Sequence, residues 1–177
     1  MEKDRPFILL LNGPLGCGKS TLGEALVESL DQAVFLDGDA LCALNPPPSD
    51  ERAVLNQSIA LLVSQHLANG YRTFVISHAW EMPGQLEDLQ DVLDQLAAPT
   101  VKVLLLTLPR DANLQRIDIR RRSRAIDEAD FEDAQFQMEH ELFSNSPPNH
   151  LGIPFDATES VDVLVRNVKE MLGLDSI

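Results

Sequence analysis

Short apolar runs alternate along the chain with longer stretches in which apolar positions recur at helical spacing. The runs are Phe7–Leu11, Ala33–Leu36, Thr73–Ile76, Val101–Leu106 and a weaker Gly152–Phe155. Each has the length of a strand, and their alternation with helical patterns is the signature of βα units and a parallel sheet. Near-continuous apolarity, as in Val103, Leu104, Leu105 and Leu106, suits a strand covered on both faces. The pattern predicts an α/β fold in three layers, a five-stranded parallel sheet with helices on both faces. At 177 residues the chain is expected to form a single domain over 1–177.

The intervening helices are legible from their ends. One is expected after Ser20, running to about Leu30. A second should be capped by Ser49, after Pro46, Pro47 and Pro48, and should stop near Asn69 with Gly70 as its C′ residue. A third follows Pro83 and ends before Pro99. A fourth starts near Asp111, a fifth spans about Asp130 to Phe143, and the last runs from about Ser160 to Leu172. In that last stretch Val161, Leu164, Val165, Val168 and Leu172 share one face.

Composition narrows the setting. The segment Met1 to Pro6 is polar, and the first apolar run is too short and wrongly flanked for a signal peptide or a membrane span, so a cytoplasmic location is expected. Cys17 and Cys42 make no disulfide framework. The net charge is −14, which disfavours duplex nucleic acid and anionic membranes as partners. Against this background Arg110, Arg116, Arg120, Arg121, Arg122 and Arg124 form a basic island, opposed locally only by Asp111 and Asp118. His66, His140 and His150 have no metal-ligand spacing, so a zinc site is not supported.

The most specific motif is Gly13-Pro14-Leu15-Gly16-Cys17-Gly18-Lys19-Ser20, which matches G-x-x-x-x-G-K-[ST] at every fixed position. Glycines let the backbone curl around a phosphate and aim its N–H groups inward. The helix that follows presents its positive end to the same group. Lys19 is expected on the β- and γ-phosphates of ATP and Ser20 on Mg2+, with Gly13, Leu15, Gly16, Cys17, Gly18 and Thr21 completing the ATP-binding loop. A thiol at this helix N-terminus would have a lowered pKa, although Cys17 is also small enough to be a filler.

Three further constellations open onto the same sheet edge. After the second strand stands Asp37-Gly38-Asp39, where one carboxylate can hold the water shell of Mg2+ and the other can accept a proton from a substrate hydroxyl. The bland alternative is a polar turn with Asp39 as an N-cap. In the island, Arg116, Arg120 and Arg124 recur at i, i+4 and share a helix face that can straddle a triphosphate. The alternative there is a solvated face paired with Asp127, Glu128 and Asp130. The third strand ends in Ser77-His78-Ala79-Trp80, and Ser77, His78 and Trp80 are candidates for substrate contact, as is Arg124.

Together, Gly-Pro-Leu-Gly-Cys-Gly-Lys-Ser-Thr, Phe35-Leu36-Asp37-Gly38-Asp39, Arg116-Ile117-Asp118-Ile119-Arg120 and Phe155-Asp156-Ala157-Thr158 resemble the small P-loop kinases that phosphorylate metabolites. The relatives are the gluconate kinase and shikimate kinase groups, adenylylsulfate kinase and chloramphenicol phosphotransferase. The resemblance spans Phe7 to about Leu172 and implies a P-loop NTPase fold with a short Arg-rich lid at about 116–130. It implies ATP and Mg2+ as cofactors, with Asp37 near the metal, if only through water. Asp39 would face the acceptor hydroxyl, Arg116 the adenine side and Arg120 the phosphates. Lys19, Asp39 and Arg120 are then the catalytic set, in a protein that is a monomer or homodimer and acts on a small-molecule acceptor. The chain departs from shikimate kinases in lacking a glycine run after its third strand. It departs from gluconate kinases in Ala40-Leu41-Cys42-Ala43-Leu44, which is less polar than their segment after Asp-Gly-Asp. Two other readings stay open: a kinase of nucleosides, nucleotides or 5′-hydroxyls, and a nucleotide-binding regulator with slow ATPase activity. The absence of an N-K-x-D signature counts against a GTPase.

Overall fold

The central strand β1 (Phe7–Asn12) is buried at every position, and its side chains divide by parity between two cores. Phe7, Leu9 and Leu11 enter one, while Ile8 and Leu10 enter the other, as a two-residue period requires. The molecule is described by a computed structural model covering residues 5–123, 129–147 and 149–174. The remaining strands are β2 (Ala33–Asp37), β3 (Thr73–Ser77), β4 (Thr100–Thr107) and β5 (Ile153–Asp156). They form one sheet in the order β2-β3-β1-β4-β5, with every pairing parallel.

Helices α1 (Lys19–Glu28) and α7 (Val161–Leu172) cover one face through Leu22, Leu26, Leu164 and Val168. Helices α3 (Glu51–Ala68) and α4 (Pro83–Ala97) cover the other through Leu55, Ile59, Val63, Leu89 and Leu93. Each fully buried leucine contributes roughly 2 kcal/mol. The three-layer architecture and five parallel strands therefore follow the apolar pattern. A further short helix, α2 (Gly38–Leu41), interrupts the path from β2 to α3, while α5 (Arg110–Ser123) and α6 (Ala129–Asn145) stand over the C-terminal edge of the sheet.

Several element ends differ from expectation for local reasons. The cap of α3 is Asp50 rather than Ser49, because the Asp50 carboxylate accepts the Ala53 N–H at 2.9 Å. Helix α1 stops at Glu28, where the Ser29 hydroxyl turns back to the Leu26 carbonyl at 2.8 Å. Gly70 does take the left-handed conformation expected beyond α3, with φ 91°. Of the predicted lid, 116–123 forms the C-terminal part of α5, and 124–128, including Arg124, lies outside the described residues.

Candidate active site

The site is assembled at the C-terminal ends of β1, β2 and β3, where ligand crevices form in open parallel sheets. Its hub is Asn12, a fully buried amide at the end of β1 that extends the apolar run. The Asn12 side chain donates to the carbonyls of Trp80 (2.9 Å) and Leu151 (3.0 Å) and accepts the N–H groups of Gly13 (2.8 Å) and Trp80 (2.9 Å). One residue thus ties the start of the P-loop to the β3–α4 connection and to the approach to β5.

The P-loop residues follow directly. Gly16 has φ 78°, and a Cβ there would lie 2.5 Å from Ile117 and 2.7 Å from Asn113, so α5 packs where only glycine fits. Lys19 donates to the carbonyls of Gly13 (2.7 Å) and Pro14 (3.1 Å), which holds its ammonium over the loop. Ser20 donates to Asp37 at 2.8 Å, bringing a hydroxyl and a carboxylate from two elements together. Arg116 donates to the carbonyls of Cys17 (3.0 Å) and Ala157 (2.7 Å), bridging the loop to the segment after β5. Thr21 begins the exposed side of α1. Of the two readings of Cys17, the space-filling one holds and the lowered thiol pKa does not. Its thiol pKa is raised, because burial outweighs the opposing influence of Lys19, and the residue is a core filler.

Asp37 and Asp39 divide their work differently from the simple polar-turn alternative. Asp37 is the cap of α2 and accepts the N–H groups of Asp39 (3.0 Å) and Ala40 (3.4 Å), while its other oxygen takes the Ser20 hydroxyl. This turn needs Gly38, since a Cβ there would meet the Ser77 carbonyl at 2.8 Å and His78 at 2.9 Å. Asp39 is left facing His78, whose Nδ1 lies 2.9 Å from an Asp39 oxygen. The hydrogen bond from His78 holds the Asp39 carboxyl below its ordinary value of 3.8, with Lys19 and Arg120 adding smaller attractions. An ionised carboxylate only accepts, so Nδ1 carries the shared proton.

The acids that hold Arg120 and Arg121 among the described residues come from α6, and two of those weighed from sequence, Asp127 and Glu128, lie outside the described residues. Arg120 donates to Glu132 at 2.9 Å, and Arg121 donates to Glu132 at 2.8 Å and to Asp133 at 2.6 Å. Arg122 pairs with Asp118 one turn earlier. Glu132 is only 2% exposed, and so is Glu139, which accepts the P-loop N–H of Leu15 and the side-chain amide of Gln135, both at 2.5 Å. Sequence reading overlooked both carboxylates because α6 is rich in acids and resembles a solvated face. The signal was present, however: Glu132, Phe136, Glu139 and Phe143 are the buried stripe of α6, so the two carboxylates share the spacing of the phenylalanines.

A cavity of about 690 Å3 joins these parts, and Lys19, Arg120, Asp39, His78, Trp80 and Glu139 all line it. Ser77 does not: it is the last residue of β3 and is buried against the sheet. Trp80 is also core, at 2% exposure, but contributes to the cavity wall and meets His78 edge-on with ring centres 5.4 Å apart. Arg124 lies outside the described residues.

With the P-loop in this setting, comparison with known proteins becomes specific. Residues 8–144 match a protein family described as an AAA domain. The chain belongs to that family. No match to it was found among curated proteins. Among solved structures, a sugar kinase from Janibacter sp. HTCC2649 superposes with TM-score 0.67 at 18% identity, covering 96% of this chain and 95% of that one. A gluconokinase from Sinorhizobium meliloti 1021 gives 0.65 at 17% identity, with 97% and 98% covered. Kti12 from Chaetomium thermophilum, in complex with ADP-AlF3, gives 0.66 at 14% identity, with 94% and 97% covered. The AAA-domain protein therefore has the P-loop kinase fold, as its motifs implied. Among its described residues no helix is long and apolar enough to cross a membrane.

Proposed function

We propose that the protein transfers the γ-phosphoryl group of ATP to a hydroxyl of a small-molecule metabolite. The observation that carries this reading is a single cavity shared by phosphate-binding groups, Lys19 and Arg120, and by the Asp39–His78 pair. A P-loop alone would serve any nucleotide-binding protein. A carboxylate aimed into the same space provides for an acceptor.

In this reading the P-loop N–H groups and Lys19 hold the phosphates, and Arg116 steadies the loop from behind through the Cys17 carbonyl. Ser20 and Asp37 offer adjacent hard oxygen donors, which suit Mg2+. When bound, that ion neutralises charge on the phosphate oxygens. Asp39 accepts a hydrogen bond from the acceptor hydroxyl and turns its oxygen towards the phosphorus. A new O–P bond forms there, the bond to the departing ADP oxygen breaks, and the hydroxyl proton passes through Asp39 to solvent. A loose phosphoryl-transfer transition state requires little prior deprotonation. A carboxylate with a lowered pKa is therefore adequate, and its main task is orientation. Arg120 stabilises the transferring group by exchanging Glu132 for phosphate oxygen, a switch between two charge-assisted partners.

The test is Asp39→Asn, assayed by ADP release against sugars, sugar acids, amino alcohols and nucleosides. Transfer to the best acceptor should fall about 100-fold or more with ATP binding retained. Acceptor phosphorylation near the wild-type rate would refute the role of Asp39. Preference for nucleosides in the same panel would redirect the reading to a 5′-hydroxyl kinase.

A further inference from the structure

The P-loop lysine is held by its own loop, and the loop in turn is held from another helix. Lys19 donates to the Gly13 and Pro14 carbonyls at 2.7 and 3.1 Å. An ammonium group has three donors, so these two bonds fix its orientation and leave one donor for a phosphate. The Pro14 carbonyl and the Leu15 N–H belong to one peptide unit. That N–H donates to Glu139 Oε2 on α6 at 2.5 Å.

The Pro14–Leu15 peptide is therefore gripped at both ends, by a carboxylate at its N–H and an ammonium at its carbonyl. A peptide unit is planar and carries a dipole of about 3.5 D, positive at the N–H end, so both charges favour the orientation observed. Turning it over would take the carbonyl off Lys19 and set it against the carboxylate. Glu139 is suited to this grip. It is 2% exposed and lies in the buried stripe of α6 between Phe136 and Phe143. Its other oxygen accepts the side-chain amide of Gln135, one turn earlier, at 2.5 Å. Each carboxylate oxygen is thus fixed by its own N–H donor.

We infer that Glu139 is a positioning residue for Lys19. By holding the Leu15 N–H it fixes the Pro14–Leu15 peptide, and through the Pro14 carbonyl it sets the direction in which the Lys19 ammonium meets the β- and γ-phosphates. The inference rests on the nucleotide-binding part of the kinase reading and requires no contact between Glu139 and the nucleotide. It gives α6, which has no phosphate-binding motif, a part in the phosphate wall. The competing role is a plain brace of α6 on the P-loop, which would act whether or not residue 19 is a lysine.

The experiment is a double-mutant cycle in the full chain, read as affinity for ATP with Mg2+ by calorimetry. Glu139→Met keeps the length of the side chain and removes the acceptor. Glu139→Gln keeps an acceptor oxygen for Leu15, and Gln135 can turn its amide to match. With Lys19 in place, Glu139→Met should weaken ATP binding about 10-fold. In a Lys19→Ala background the same change should cost less than about twofold, because the group it positions is gone. Glu139→Gln should stay within about threefold of the parent in either background. Equal losses from Glu139→Met in the two backgrounds would mark a brace and overturn the inference. So would unchanged affinity in Glu139→Met, or a loss in Glu139→Gln as large as in Glu139→Met. If Lys19→Ala binds ATP too weakly to titrate, thermal unfolding of the nucleotide-free variants carries the same cycle, and additive losses there overturn the inference. If Glu139→Met does not fold, Glu139→Asp, which draws the carboxylate back by one methylene, takes its place with the same expected pattern. ADP release separates the two readings. A cycle that behaves as expected in a protein that phosphorylates none of the acceptors tried sinks the kinase reading alone, whereas additive losses in an active kinase sink this inference alone.

Discussion

The two walls of the cavity are built in opposite ways. The phosphate wall is centred on one continuous segment, Gly13 to Ser20, whose backbone folds on itself and whose lysine bonds to its own loop carbonyls, with Arg120 added from α5. The acceptor wall is gathered from α2, α3, the β3–α4 connection and α6, and of these only the Asp37-Gly38-Asp39 turn into α2 belongs to a motif. One wall is cationic and local, and the other is acidic and composite. Phosphate chemistry is the same for every nucleoside triphosphate, so a short self-sufficient loop answers it. Acceptors differ, and a composite wall can be altered one segment at a time without disturbing the loop.

Substitutions on either side should separate the two walls, and the largest effect belongs to the phosphate side. Lys19→Ala should lower turnover by on the order of 3 kcal/mol, about 100-fold or more, with any acceptor. Unchanged kcat would remove Lys19 from the chemistry. Next, Arg120→Ala should reduce kcat by about 10- to 100-fold while weakening ATP binding less, because its role is with the transferring group. If the whole loss appears in ATP affinity, Arg120 is a simple anchor. The smallest effect is a pH limb confined to the acceptor side. Glu81 titrates above its ordinary value of 4.5, through burial and Glu139 and against the attraction of His78. An ionised Glu81 is the disfavoured form in the fold, so its contribution to stability is full below 4.5 and is lost as pH rises through the folded pKa. Thermal unfolding followed across this range checks that limb, which Glu81→Gln should abolish.

How much was legible varied with distance along the chain. The strands were visible because a strand buried on both faces must be largely apolar, and Phe7–Leu11, Phe74–Ile76 and Leu104–Leu106 are. The P-loop was visible because its glycines are demanded by the loop's own geometry and by the close approach of α5. Asp37 and Asp39 stood out as a candidate pair, but the partners that each would take did not. That depends on α2, a helix too short to announce itself, which takes Asp37 as its cap and leaves Asp39 for His78 across the β2–β3 boundary.

The amino-acid sequence by itself determined the α/β layering, the P-loop motif and the sheet edge at which the candidate residues gather, because these rest on residue periodicity and on contacts within a few positions. Only the tertiary structure decided the partners of the arginines and the character of the acceptor wall. Glu132 reaches Arg120 and Arg121 from the next helix, and Glu139 reaches Leu15 across 124 positions. The same packing brings Glu51 and Glu81 to the cavity without a described cation beside them. The spacing that Glu132 and Glu139 share with Phe136 and Phe143 marks them as inward-facing, but it does not say whether a carboxylate meets a guanidinium or a backbone N–H. Long-range packing, which no local pattern encodes, makes that difference.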